Sequence, residues 1–149
     1  MKSFQTEINR WNQRRPYRAV RLLCSVVLLA STASWTFAND AKIDFEKSIS
    51  GILVRRCLEC HNSINSSGGL DLSRQDKLLA GGDSGEVVIV GKPEESPLIE
   101  RITAGEMPPE KNGKKQELPS EEIEALRRWV AEGGAWPEGR VLDPYERTT

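Results

Sequence analysis

Apolar residues recur at helical spacing in three stretches of this chain, at about 41–60, 96–105 and 119–134. A spacing of three or four residues places side chains on one face of a helix, which can then pack against a core. The pattern therefore predicts three amphipathic helices. The apolar positions that define them are Ile43, Phe45, Ile49, Ile52, Leu53, Leu98, Ile99, Ile102, Ile123, Leu126, Trp129 and Val130.

Residues that start and stop helices flank these stretches. Asp40, Ser96 and Ser120 stand at the three starts, where a side-chain oxygen can accept a hydrogen bond from a free backbone N–H group. Gly105 and the pair Gly133-Gly134 follow the second and third stretches, as expected for residues that end a helix. These signals support the bounds that the apolar spacing predicts.

Between the helices the chain is polar and rich in glycine, which predicts long loops. Leu70 and Leu72 alternate with polar residues in a short extended piece, and 75–80 forms a helical turn before Gly81-Gly82. The β-branched run Val87–Val90 predicts a short buried extended segment. The fold class predicted for the chain is all-α, with a few helices joined by long loops.

The first 38 residues have the pattern of a secretory signal peptide. Four arginines between positions 14 and 21 form a basic region, and an apolar run of signal-peptide length follows at 22–33. We expect cleavage after Ala38, which leaves a folded domain over 39–137 and a polar tail over 138–149. The apolar run is short for a helix that spans a bilayer, and an uncleaved membrane anchor is the alternative.

Removal of this leader changes the charge of the protein. The whole chain has 21 Lys and Arg against 22 Asp and Glu. Six of the basic residues and one of the acidic residues lie in the leader, so the mature chain carries a net charge of −6. An acidic domain has no electrostatic attraction to nucleic acid or to an anionic membrane, and we expect neither as a partner.

The sequence Cys57-Leu58-Glu59-Cys60-His61 has the C-x-x-C-H form of a c-type haem attachment site. On one turn of helix, positions i, i+3 and i+4 share a face, so two thiols can bond the haem vinyl groups while the imidazole meets the iron. Export agrees with this reading, because c-type haem is attached outside the cytoplasm. The motif predicts one covalent haem c, with Cys57 and Cys60 as anchors and His61 as iron ligand.

Two other readings of the same residues stay open. A structural zinc site takes four ligands, and the mature chain would have to add a carboxylate to Cys57, Cys60 and His61. A redox-active dithiol of the thioredoxin type needs a βαβ context, and no such alternation surrounds this motif. A zinc or dithiol interaction domain without haem is therefore the alternative to a haem domain.

Haem iron in an electron-transfer protein commonly takes Met as its second axial ligand beside His. Met107 is the only methionine after Met1, and it precedes Pro108-Pro109. Two prolines stiffen a loop and present no backbone N–H, so they suit a segment that holds a thioether over a metal. Arg74 follows the Leu70–Leu72 piece and is a candidate partner for a haem propionate.

The spacing of these blocks resembles the planctomycete-type cytochrome c domain. The resemblance rests on the C-x-x-C-H motif, on Gly68–Leu72, on Gly91–Ile99, on Met107–Pro109 and on the closing helix with its Trp136. It covers roughly residues 49–137. It implies a class I-like cytochrome c fold around one haem c bound to Cys57 and Cys60, with His61 and Met107 as axial ligands.

The function implied is single-electron transfer by an exported haem protein, periplasmic or secreted. Its partners would be a redox donor and a redox acceptor protein. We expect no catalytic activity, because His61 is the only histidine and is already used as a ligand. The alternatives are a five-coordinate haem module for ligand binding, sensing or catalysis, and a redox domain that serves a larger multidomain or partner enzyme.

Overall fold

The computed structural model describes residues 41–146. The predicted leader, its cleavage after Ala38, and the cap at Asp40 lie outside the described residues, as does the end of the tail from residue 147. Within 41–146 the chain forms helices, turns and isolated β-bridges but no strand, in agreement with the predicted all-α class. None of the helices in this range is long and apolar enough to cross a membrane.

The first predicted helix is shorter than its apolar pattern indicates. A π-helical segment, Glu46–Ser50, continues into α1 (Gly51–Arg56). The helix stops there because the carbonyl of Leu53 accepts hydrogen bonds from both Cys57 N and Leu58 N, each at 3.0 Å. The hydrogen bond from Leu58 N thus spans five residues, where an α-helical bond spans four. The C-x-x-C-H motif therefore lies in the turns after the helix.

Three further helices follow, and they confirm the predicted second and third amphipathic stretches. They are α2 (Gln75–Ala80), α3 (Pro97–Thr103) and α4 (Ser120–Ala131). Short 3-10 turns lie at Ser67–Gly69 and Pro93–Glu95. The long loops between these elements are those that the polar, glycine-rich segments predict.

The serine caps predicted for α3 and α4 have different outcomes. Ser96 is the N-cap residue of α3, as predicted, but its hydroxyl makes no capping hydrogen bond. The hydroxyl donates to Lys92 O at 2.8 Å and accepts from Ile89 N at 2.9 Å, so it stabilises the loop before α3 instead. Ser120 is the first residue of α4, its hydroxyl donates to Glu121 at 3.1 Å, and Pro119 occupies the cap position.

An aromatic cluster joins the two ends of the described chain. The rings of Phe45 and Trp136 lie 4.4 Å apart between centroids, and Trp129 packs 6.2 Å from Phe45. Trp129 is fully buried, and its indole N–H donates to Ala135 O at 2.8 Å. Burial of three large rings is a major source of hydrophobic stabilisation. This cluster holds the first helix against α4.

Residues 138–146, predicted as the start of a polar tail, pack onto the domain. Leu142 is 2% exposed, and its N–H donates to Ser73 O at 2.8 Å. Arg140 forms ion pairs with Glu46 at 2.9 Å and with Glu146 at 2.7 Å. A single buried leucine produces no apolar periodicity, so the sequence pattern did not reveal this contact.

Two glycine-containing turns pack against each other through their backbones. The N–H of Asp83 donates to Gly68 O at 2.8 Å, and Gly82 and Gly85 exchange hydrogen bonds at 3.0 and 2.9 Å. Gly81 ends α2 with φ of +79°, and a Cβ atom built there would lie 2.2 Å from the carbonyl oxygen of Gly85. A side chain at position 81 is therefore excluded by both conformation and space.

The pair Gly81 and Gly85 gives a matched test of this packing. Both residues have positive φ, but a Cβ at Gly85 would meet no atom within 4 Å. We expect Gly85→Ala to lower the free energy of unfolding by about 1–2 kcal/mol, through the left-handed backbone alone. Gly81→Ala should lower it by at least about 1 kcal/mol more, because backbone atoms must also move apart. Denaturant unfolding of the two purified variants measures these free energies. An equal loss of stability in both variants would contradict the packing described.

Candidate haem site

A cavity of about 970 Å³ lies beside the end of α1. The turns after α1, the two glycine-containing turns, α3 and the Met107 loop supply its walls. Ligand cavities in proteins usually measure about 300–1,000 Å³, so this one would accept a large organic group. Its apolar wall consists of Leu70, Leu72, Val87, Leu98, Ile102, Met107, Pro108, Pro109 and Leu118.

The structure brings the four principal residues of the sequence prediction to this cavity. Cys57, Cys60, His61 and Met107 all line it, although Met107 lies far along the chain from the motif. Both thiols are free. Two thiols, an imidazole and a thioether on one mostly apolar cavity are the donor set that covalent haem attachment and axial ligation require.

The backbone of the C-x-x-C-H motif keeps one feature of the helix that precedes it. His61 N donates to Cys57 O at 3.0 Å, the i to i−4 bond of an α-helical turn, and Cys60 N donates to the same oxygen at 3.1 Å. These two bonds draw Cys57, Cys60 and His61 into one turn. The sequence argument for a shared face therefore holds although α1 ends at Arg56.

The imidazole of His61 has an unpaired nitrogen. Its Nδ1 is the only buried side-chain nitrogen or oxygen without a hydrogen-bond partner in the described part of the chain. A buried polar atom without a partner costs about 1–3 kcal/mol, so proteins rarely retain one without a use. His61 itself is one of the residues that line the cavity.

Burial raises the pKa of the Cys57 thiol to about 12, and the nearby Glu122 carboxylate adds to the rise. Among residues 41–146, no group of three or more His, Cys, Asp or Glu side chains is arranged to hold a metal ion.

Met107 is held by backbone contacts to the end of α3. The N–H groups of Glu106 and Met107 donate to Arg101 O at 2.9 and 3.3 Å, and Gly105 turns the chain with φ of +69°. The Met107 side chain is half-buried and packs against the core. The helix end and the prolines that follow thus fix the position from which this side chain reaches the cavity.

Arg74 is not brought to the cavity. Its side chain is exposed, and its Nε donates to Asp76 at 3.0 Å. The cations that do line the cavity are Arg55, Arg56, Arg101 and Lys111. The sequence prediction did not include Arg55, Arg56 and Arg101, although the position of Arg55 and Arg56 directly before Cys57 is a signal that could have identified these two.

Each of these cations has an acidic partner. Arg56 and Arg55 lie 2.9 and 3.6 Å from the Glu122 carboxylate, which links α1 to the start of α4. Lys111 lies 2.6 Å from Glu59, and that contact raises the pKa of the Lys111 amine. The rim of the cavity therefore carries paired charges of both signs.

Comparison with known protein families gives a match over part of the chain. The model of the family described as Planctomycete cytochrome C matches residues 57–111. The matched segment begins at Cys57 and contains His61 and Met107, which the structure places on one cavity. Comparisons with curated proteins and with solved structures give no match.

The family match confirms the resemblance on which the sequence prediction of a cytochrome domain relied. C-type cytochromes hold haem covalently through a C-x-x-C-H motif, and that motif opens the matched segment. Residues 57–111 match the model of the planctomycete cytochrome c family, which indicates a haem-binding redox role for this segment.

Proposed function

We propose that this protein is an exported monohaem c-type cytochrome that transfers single electrons, with iron ligated by His61 and Met107. The observation that carries the proposal is the meeting of Cys57, Cys60, His61 and Met107 on one cavity. The apolar wall and the unpaired nitrogen of His61 support it further, because both fit a large apolar group that contains a metal.

Bound haem would supply the Fe(III)/Fe(II) couple. The residues of this chain would fix the position of the haem and set its reduction potential. Cys57 and Cys60 would hold the group by two covalent bonds, so it would stay in place through every redox cycle. His61 and Met107, which line the same cavity, would be the ligands of its iron. A Met ligand raises the reduction potential relative to stronger donors. The apolar wall excludes water from the metal.

The cellular location follows from the leader. A signal peptide over 1–38, cleaved after Ala38, would deliver the domain to the periplasm or the exterior. Its partners there are a redox donor and a redox acceptor protein. The mature net charge of −6 is compatible with protein partners and gives no attraction to nucleic acid.

The axial role of Met107 is tested by a change that keeps the volume of the side chain. Met107→Leu removes the sulfur but fills nearly the same space, so the fold should lose less than about 1.5 kcal/mol. We expect the weak oxidised-state band of iron–methionine sulfur to disappear and the reduction potential to fall. Ile102→Leu, a change of similar size in the same wall, is the control and should keep both. Visible spectra and a redox titration measure the two properties.

An unchanged spectrum in Met107→Leu would contradict the ligand assignment. A wild-type protein with a high-spin spectrum would retain the haem but favour the five-coordinate alternative. An open iron position would then bind small ligands such as carbon monoxide or cyanide, and their titration separates the two functions.

Covalent attachment is tested by the cysteines. In the double variant Cys57→Ala/Cys60→Ala, no thiol remains to bond the haem, and we expect haem staining on a denaturing gel to vanish. Cys24→Ala is the matched control, because this third cysteine lies in the predicted leader, and the stain should be unchanged. Staining that survives the double variant would contradict the assignment. Zinc without haem in the wild type would favour the metal-binding alternative.

A further inference from the structure

The turn that carries the C-x-x-C-H motif is braced by the residues that follow it. Because α1 ends at Arg56, the carbonyl groups of the next five residues cannot all be paired by a continuing helix. Each of them nevertheless accepts a hydrogen bond. The donors are Cys60 N and His61 N to Cys57 O, Asn62 Nδ2 to Leu58 O, Asn65 Nδ2 to Glu59 O, Ser67 N to Cys60 O, and Leu72 N to His61 O.

Asn62 is the buried member of this set of side chains. It is 8% exposed and is the residue directly after His61. Its Nδ2 donates to Leu58 O at 2.6 Å, while its Oδ1 accepts from Ile64 N at 2.8 Å and from Asn65 N at 2.9 Å. The Asn62 side chain thus bonds both to the motif and to the loop that follows the motif.

The side-chain amide of Asn62 donates the hydrogen bond that its backbone N–H would donate in a continuing helix. In a continuing helix, Leu58 O would accept from Asn62 N, four residues later. Here Asn62 N instead donates to Asn65 O at 3.0 Å, because the chain turns away from the helix axis. The side-chain N–H of Asn62 replaces that lost donor. Only a side chain with both a donor and an acceptor at this distance can serve the motif and the loop together.

We propose that Asn62 is the positioning residue for the axial histidine. It fixes the peptide on the C-terminal side of His61, while the bond from His61 N to Cys57 O fixes the other side. The imidazole direction follows from a backbone held at both neighbours. This inference rests on the proposed haem function and adds a residue outside the C-x-x-C-H motif to the site.

The chain offers a matched control three residues away. Asn65 is exposed, and its side chain donates to Glu59 O at 3.1 Å, where water can replace it. The variants are Asn62→Asp and Asn62→Ser, with Asn65→Asp and Asn65→Ser as controls. Asn62→Asp places a carboxylate oxygen against Leu58 O. Asn62→Ser is too short to reach Leu58 O but keeps an acceptor for the loop N–H groups.

The first readout is the proton NMR spectrum of the oxidised haem protein in its folded state. We expect the hyperfine-shifted ring protons of His61 to move in Asn62→Ser, because the imidazole is reoriented, and to stay in place in Asn65→Ser. A loss of global stability alone would not move them.

The second readout compares two signals along a guanidinium titration: the low-spin visible spectrum and the far-UV circular dichroism. In Asn62→Ser and Asn62→Asp, the low-spin spectrum should be lost before the helices unfold. At a fixed denaturant concentration below unfolding, the ratio of low-spin to high-spin iron should fall about fivefold, the effect of one lost hydrogen bond. The Asn65 variants should lose both signals together.

If both Asn62 variants match the Asn65 variants in both readouts, the positioning role is overturned while the cytochrome function stands. If Asn62→Asp does not accumulate as folded protein, Asn62→Ser decides the question alone. A wild-type protein that attaches no haem overturns this inference and the proposed function together.

Discussion

The cavity of about 970 Å³ is the constraint on which the rest of the domain depends. An apolar space of this size must either be filled or collapse, because cavity walls without contacting atoms lose dispersion energy and favour closure. Several features of the fold keep its walls in place without continuous helices. The aromatic cluster of Phe45, Trp129 and Trp136 fixes the first helix against α4 on the far side of the core. Arg56 and Glu122 join the same two elements beside the cavity.

The loops that form the walls are held by specific hydrogen bonds and close backbone packing. The turns around Gly68 and Gly82 lie in direct contact, and position 81 has no space for a Cβ atom. The motif turn has every carbonyl paired, that of Leu58 through the side chain of Asn62. These features allow a domain with short helices to bring side chains from two distant segments to one cavity. Under the proposed function, the bound haem fills the space that these loops enclose.

Much of this arrangement could be predicted from the sequence, because its signals are local. Apolar spacing identified the helices, and Gly105 and Gly133-Gly134 marked where two of them end. The C-x-x-C-H motif and the lone Met107 named residues that the structure places on one cavity. Both predictions depended on residue types whose chemistry has few uses, so a short pattern was sufficient.

The parts that escaped prediction depend on tertiary contacts. The sequence predicts Arg74 as a partner for a propionate, but its side chain bonds to Asp76, and four other cations line the cavity. The run Val87–Val90 suggested a buried segment, yet Val90 is 51% exposed because the chain turns at Gly91. Leu142 packs from a segment without periodicity. Asn62 lies in a polar loop, and no sequence pattern distinguishes its buried amide from the exposed one of Asn65.

The central claim, that one cavity holds a haem between His61 and Met107, is tested most directly by a reduced-minus-oxidised visible spectrum. The protein should be expressed with its leader in a host that attaches haem c, and purified from the exported fraction. The account predicts a sharp α-band on reduction and a weak iron–methionine sulfur band in the oxidised protein. A spectrum without haem, or a high-spin spectrum that lacks the methionine band, would contradict it.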